Sequence, residues 1–184
     1  MEKFNFWYWD NLLNQDQIKQ INLICEKHHD PSFKDSPADN TIKTADVKLI
    51  KWEFLKPVIH HVDDSWRASN AFSFGFNIFQ TSDIDRWNFN TYDSINSGEY
   101  DWHYDASPNY VNDVKLTGIV NISDEPYEGG ELMVFYDGDF QEIPQIKEPG
   151  GSILLRGGIL HKVNPVTKGK RKTLSYWFMG PRFI

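Results

Sequence analysis

The sequence predicts a mainly β domain of the α+β kind, an antiparallel sandwich or jelly roll with helices at its N-terminal side. Three observations lead there. Apolar residues recur at helical spacing in the first seventy positions, the period switches to two near residue 71, and glycine turns then follow at short intervals. We read one domain over 1–184, with helical support over about 1–70 and a jelly-roll core over about 71–184. A chain of 184 residues can bury one substantial core but not two comfortable ones.

Taken in order, Asn14 followed by Gln17 predicts an N-cap with its capping-box partner. Ile18, Ile21 and Ile24 or Cys25 then give an amphipathic helix to about Lys27, closed by His28-His29-Asp30-Pro31. Residues 31–45, rich in Asp, Ser, Pro, Asn and Thr, read as a surface loop. A second helix is expected from near Pro57, with Val58, Val62 and Trp66 on one face. Phe72, Phe74, Phe76 and Ile78 alternate with smaller or polar residues and predict a half-buried strand. Further strands are expected over 88–95, 115–122, 131–136, 139–143, 152–156, 159–163 and 171–179. The pairs Gly129-Gly130, Asp137-Gly138, Gly150-Gly151, Gly157-Gly158 and Lys168-Gly169 mark turns between them.

Composition narrows the function classes. A formal net charge of −7 argues against a partner held through phosphates, so no nucleic acid is expected. Lys168, Lys170 and Lys172 read as solvated turn charge. One cysteine, Cys25, rules out an internal disulfide and favours a reducing compartment. No secretory pattern opens the sequence and no apolar run nears the ~20 residues of a membrane span, so the expectation is a soluble, cytoplasmic protein without membrane contact. Nothing in the sequence specifies an oligomeric state. An aromatic share of 15% is most simply a thick core between packed layers.

The chemistry concentrates at His103-Tyr104-Asp105, His161 and Arg171. Alternate residues of a strand project to one side, so His103 and Asp105 can converge on a metal. Such a triplet arises often by chance and needs a third ligand. Two imidazoles and one carboxylate on one face of non-haem Fe(II) leave positions open for O2 chemistry. His161 and Arg171 flank Pro165-Val166-Thr167-Lys168-Gly169, a hairpin turn by composition. Paired about Val166, the two would lie opposite each other on adjacent strands, with the guanidinium beyond the metal and ready for a carboxylate. Thr173 would share that face. The plain alternative is a surface His and a turn Arg. His60 and His61 diverge by about 100° on a helix, and His28 and His29 suit a helix C-terminus, so none of the four is expected as a ligand.

From Tyr92 to Phe183 the sequence resembles the Fe(II)- and 2-oxoglutarate-dependent dioxygenases, in their prolyl-4-hydroxylase-like, PKHD-type branch. The resemblance rests on Tyr92-Asp93, the run Gly98 to Asp105, Glu128-Gly129-Gly130-Glu131-Leu132 and Pro149-Gly150-Gly151-Ser152. It continues through His161 to Arg171 and Ser175 to Pro181. It implies a double-stranded β-helix with iron held by His103, Asp105 and His161. It implies that Arg171 binds the distal carboxylate of 2-oxoglutarate, and that Tyr92, with Tyr100 as competitor, bonds the cosubstrate. The implied cofactors are Fe(II), 2-oxoglutarate and O2, with ascorbate as a stimulant.

The implied reaction hydroxylates an unactivated C–H of a prolyl or other residue in a peptide or protein, releasing succinate and CO2. Related halogenases lack the carboxylate that Asp105 supplies, which points to hydroxylation. A free amino acid or other small molecule is the alternative substrate. A jelly-roll binding module with an aromatic rim of Trp87, Trp102 and Tyr110 is the alternative of another class. Loops 80–91 and 106–114 flank the site in sequence as possible lids, with Arg86, Trp87 and Tyr110 as substrate contacts.

Overall fold

The computed structural model describes residues 4–30, 42–106 and 112–182 of the chain. Asn14 opens helix α1 (Gln15–His28) through a reciprocal capping box: its side chain accepts from the Gln17 amide, and the Gln17 side chain accepts from the Asn14 amide. Ile18, Ile21 and Cys25 are the buried stripe of α1. Helix α2 (Trp52–Ser69) begins five residues before the expected Pro57, which lies inside it, and the helix kinks at Ile59 (φ −120°, ψ 15°). Its buried face carries Leu55, Val62 and Trp66.

The strand expected across Phe72–Ile78 does not form. Residues Asn70–Phe74 make a π turn that ends α2, closed by Gly75 at φ 71°. Asn70 donates from its amide to the Phe76 carbonyl and accepts from the Phe76 N–H, folding the segment back on the helix end. Phe74 is buried while Phe72, on the same supposed strand face, is 87% exposed. Alternating composition there imitates a strand, but local hydrogen bonding wins.

The larger sheet is antiparallel, in the order β1 (Phe6–Trp9), β9 (Ser152–Arg156), β5 (Asp113–Asn121), β12 (Lys170–Gly180), β3 (Arg86–Asp93) and β2 (Asp46–Lys51). The smaller sheet runs β4 (Tyr100–His103), β10 (His161–Val163), β7 (Leu132–Tyr136) and β8 (Asp139–Glu142), beside a ribbon of β11 (Val166–Lys168) and β6 (Glu128–Gly129). The first seventy residues are therefore not helical support alone, because β1 and β2 form the two edges of the larger sheet.

Helices, large sheet and small sheet make three layers. Alternate residues of the large sheet serve the two interfaces. Leu154 packs under the helices while Ile153 and Leu155 face the small sheet. Trp66, Trp87, Phe89 and Phe178 anchor the helix side, and Ile119, Val134, Ile153 and Val163 the inter-sheet side. Lys168, Lys170 and Lys172 each pair with an acid: Glu128, Asp93 and Asp124. Among the described residues no helix is long and apolar enough to cross a membrane.

Candidate metal centre

Strands β4 and β10 are paired with His161 directly opposite His103. The two rings lie 4.2 Å apart between centroids. Asp105 sits two residues past the end of β4 rather than within it, yet its carboxylate turns back to both. Its Oδ1 is 3.9 Å from His103 Nε2 and its Oδ2 3.5 Å from His161 Nε2. One ligand atom from each of the three lies within 4.8 Å of the others.

Backbone carbonyls decide which ring nitrogens face inward. His103 Nδ1 is 2.7 Å from the Asp101 carbonyl and His161 Nδ1 2.9 Å from the Ile159 carbonyl. A carbonyl only accepts, so each Nδ1 carries the hydrogen and each Nε2 presents its lone pair to the centre. Burial, reinforced by the neighbouring His161, pushes His103 down to about 4, so the ring is a neutral donor at ordinary pH. Thr117 on β5 donates its hydroxyl to Asp105 Oδ2 at 2.6 Å and fixes the carboxylate from the opposite sheet. Two imidazoles with Nε2 turned inward and one oriented carboxylate, drawn to one side, suit ferrous iron.

The other end of the pocket belongs to Arg171. It is 1% exposed, and its Nε and Nη2 have no hydrogen-bond partner among the described residues. A buried guanidinium with two unanswered N–H groups suits a carboxylate ligand. Gly130, at φ 68°, makes room for it: a Cβ there would meet the Arg171 side chain at 2.8 Å. Tyr92 is the register partner of Arg171 across β3 and β12, with the guanidinium 5.4 Å above its ring. Burial pushes the Tyr92 hydroxyl up to about 12, so it is a hydrogen donor. Tyr100, the competing tyrosine, instead stacks on His103 at 3.5 Å between centroids. Thr173 faces the same cavity and accepts from Asn90 at 3.3 Å.

The expected opposition of His161 and Arg171 across a hairpin does not occur. His161 pairs with His103 and Val134 in the small sheet, Arg171 with Tyr92 in the large one. The chain between them crosses from one sheet to the other, and the two side chains line one cavity from facing layers. Trp87, expected at a lid, is fully buried and stacks with Trp52, Trp66 and Tyr176. Arg86 pairs with Asp30 instead. Tyr110 lies outside the described residues. His28 stacks on Phe54, His29 and His61 bond backbone carbonyls, and His60 packs edge-on to His61.

Three lining residues carried no sequence signal. Thr117 is one of a buried run on β5. Lys43 falls in the expected surface loop, but its amine reaches into the cavity and donates to Asn90 Oδ1 at 3.0 Å. Trp177 lines the cavity near the Asp105 end, opposite Thr117 in register.

The family model described as the 2OG-Fe(II) oxygenase superfamily matches residues 87–179. A PKHD-type hydroxylase of Pseudomonas aeruginosa, PiuC, is 38% identical over 100 residues, covering 48% of this chain and 41% of the relative. A PKHD-type hydroxylase of Pseudomonas fluorescens is 38% identical over 89 residues, covering 44% and 38%. The matches thus span about two fifths of those relatives' length. Among solved structures, a Pseudomonas putida prolyl-4-hydroxylase superposes with a TM-score of 0.72 at 17% identity, covering 97% of this chain and 94% of that one. A Trichoplax adhaerens prolyl hydroxylase in complex with a hypoxia inducible factor peptide fragment gives 0.69 at 14% identity, covering 95% and 83%. These likenesses show the fold, a prolyl-hydroxylase-type jelly roll.

Proposed function

Because the chain belongs to the 2OG-Fe(II) oxygenase superfamily, we propose that it is a 2-oxoglutarate-dependent hydroxylase whose iron ligands are His103, Asp105 and His161. The observation that carries this reading is the convergence of those three side chains, with both imidazole lone pairs turned inward. When bound, ferrous iron with 2-oxoglutarate and O2 supplies the oxidising power to hydroxylate an unactivated C–H, with succinate and CO2 as co-products.

The chain's own residues do the rest. Arg171 holds the distal carboxylate of the cosubstrate through its Nε and Nη2 donors, and Tyr92 and Thr173 offer hydroxyls beside it. Thr117 keeps Asp105 aimed at the metal. Ile119 and Val163 wall the space between the two ends and keep bulk water from it.

For the substrate we propose a residue of a peptide or protein, following the PKHD-type relatives and the peptide-bound neighbour. A second reading, a free amino acid or other small carboxylate, draws on the Lys43 ammonium in the cavity. A non-catalytic binding module loses Trp87 from its aromatic rim, since that ring is in the core.

The test begins anaerobically. Fe(II) plus 2-oxoglutarate should give a weak visible charge-transfer band that Asp105→Ala abolishes. Succinate release on admitting O2, screened against proline peptides and free amino acids with mass spectrometry of products, then separates the substrates. No band and no succinate from a folded, iron-loaded protein would overturn the reading.

A further inference from the structure

The helix side of the large sheet holds a continuous aromatic stack that the proposed chemistry does not use. Trp66 and Trp87 lie 5.4 Å apart between ring centroids and 14° from parallel. Trp87 and Tyr176 lie 5.1 Å apart and 19° from parallel. Trp52 also stacks on Trp87, at 5.0 Å and 9° from parallel, as a branch off this line, although edge-to-face contacts would fill a core equally well.

The inner end of this stack abuts the candidate metal centre through one strand. Thr117, which holds Asp105, is followed by Gly118, and the Trp66 ring occupies the space a Cβ at Gly118 would need. The Trp66 indole N–H donates to Ser152 Oγ at 2.9 Å, and Ser152 donates to the carbonyl of Ile119, which lines the metal cavity. Only the backbone of β5 separates indole from cavity. That is on the order of the ~10 Å by which packed layers are spaced.

Proton acceptors are distributed unevenly along the stack. Trp87 Nε1 is buried with no partner among the described residues, and Trp66 faces only a hydroxyl. Oxidised, neither indole has a base to take its proton, so the electron deficit passes on. At the outer end Tyr176 donates its hydroxyl to Asp85 Oδ2 at 2.9 Å. Tyr176 and Asp85 are both partly exposed, within reach of small solutes.

We propose that Trp66, Trp87 and Tyr176 form an electron relay that returns the oxidised centre to the ferrous state when no substrate is in place. The inference rests on the iron and 2-oxoglutarate reading above. In each transfer one electron leaves Tyr176 and reaches the centre by way of Trp87 and Trp66, while the phenolic proton moves to Asp85. A soluble one-electron reductant, ascorbate or a thiol, restores Tyr176, and Asp85 gives the proton back. Two such electrons, with two protons from solvent, are what the loaded centre would need to release as water the one atom of O2 that succinate does not carry off. The rings and side chains lining the cavity are thereby spared oxidation.

The protein loaded with Fe(II) and 2-oxoglutarate is mixed with O2 and no substrate, then freeze-quenched for electron paramagnetic resonance. A tyrosyl radical is expected, its hyperfine pattern collapsing in protein grown on ring-deuterated tyrosine and its signal lost in Tyr176→Phe. Trp87→Phe keeps a ring in place and should reduce the yield severalfold. Oxygen-atom adducts on Tyr92, Tyr100 and Trp177, mapped by peptide mass spectrometry, should rise severalfold in both variants. Succinate without a radical, a radical that survives Tyr176→Phe, or unchanged adducts would overturn the relay alone. No succinate at all would overturn the parent reading and the relay with it.

Discussion

The Thr117 hydroxyl donates to Asp105 Oδ2 at 2.6 Å, so a residue of the large sheet sets the angle of a carboxylate carried by the small one. Asp105 has left β4 by that point, two residues past its end. In Thr117→Val the carboxylate keeps its charge and loses its brace. Affinity for Mn(II), used as an oxygen-stable stand-in for Fe(II), should fall about 10- to 100-fold. Titration followed by the electron paramagnetic resonance of free Mn(II) measures it, and Thr117→Ser should recover most of the loss.

Arg171→Gln keeps a planar donor group in the Gly130 recess and removes the charge. Binding of 2-oxoglutarate to the Mn(II) protein should weaken by about 1.5–3 kcal/mol, roughly 10- to 150-fold in Kd. Isothermal calorimetry reads this without turnover. Metal affinity should stay within about twofold, because Arg171 lies at the far end of the cavity from the three candidate ligands.

The metal-free protein should lose stability on acidification through the His103 window. Burial depresses this imidazole from 6.5 to about 4 in the folded state. The unfolded chain therefore binds more protons between those values, and stability falls as pH drops from about 6.5 towards 4. Urea midpoints measured across that range should decline, and less steeply in His103→Gln.

Gly118→Ala places a methyl where the Trp66 ring lies. Overpacking of this kind costs about 1–3 kcal/mol. Ser152→Ala leaves the buried Trp66 N–H without an acceptor, at a further cost of about 1–3 kcal/mol. Both should appear as lower urea midpoints at unchanged slope. Their effects should not add in the double variant, since both displace the same indole.

Legibility in the sequence followed the range of the forces involved. The Asn14–Gln17 cap is a contact between neighbours in the chain, and it reads directly from the residues. β3, β5, β7, β8, β9, β10 and β12 announce themselves through period two and glycine turns, whereas β4, β6 and β11, only two to four residues long, are too short to show a period. β2 hides because Asp46–Lys51 sits on an edge and buries only Ile50 fully. The Phe72–Phe76 segment misleads because its alternation is real while its hydrogen bonds are local.

At the site, His103, Asp105, His161 and Arg171 stand out by residue type and spacing. What the spacing hides is that His161 and Arg171 belong to different sheets, a property of the topology between them. Thr117 and Lys43 acquire their places only when layers close over the cavity, so no neighbouring residue signals them.

Strand β12 has as its partners β3 and β5, both far earlier in the chain; Arg171 faces Tyr92 across 79 residues (171 minus 92). Pairings between such distant segments form late, because a long loop must close before any bond rewards it. Folding should therefore be slow, with the helical layer organised before the sheet is complete. The guanidinium end of the cavity is then among the last parts to assemble, and a nascent or half-folded chain has no means of engaging a dicarboxylate.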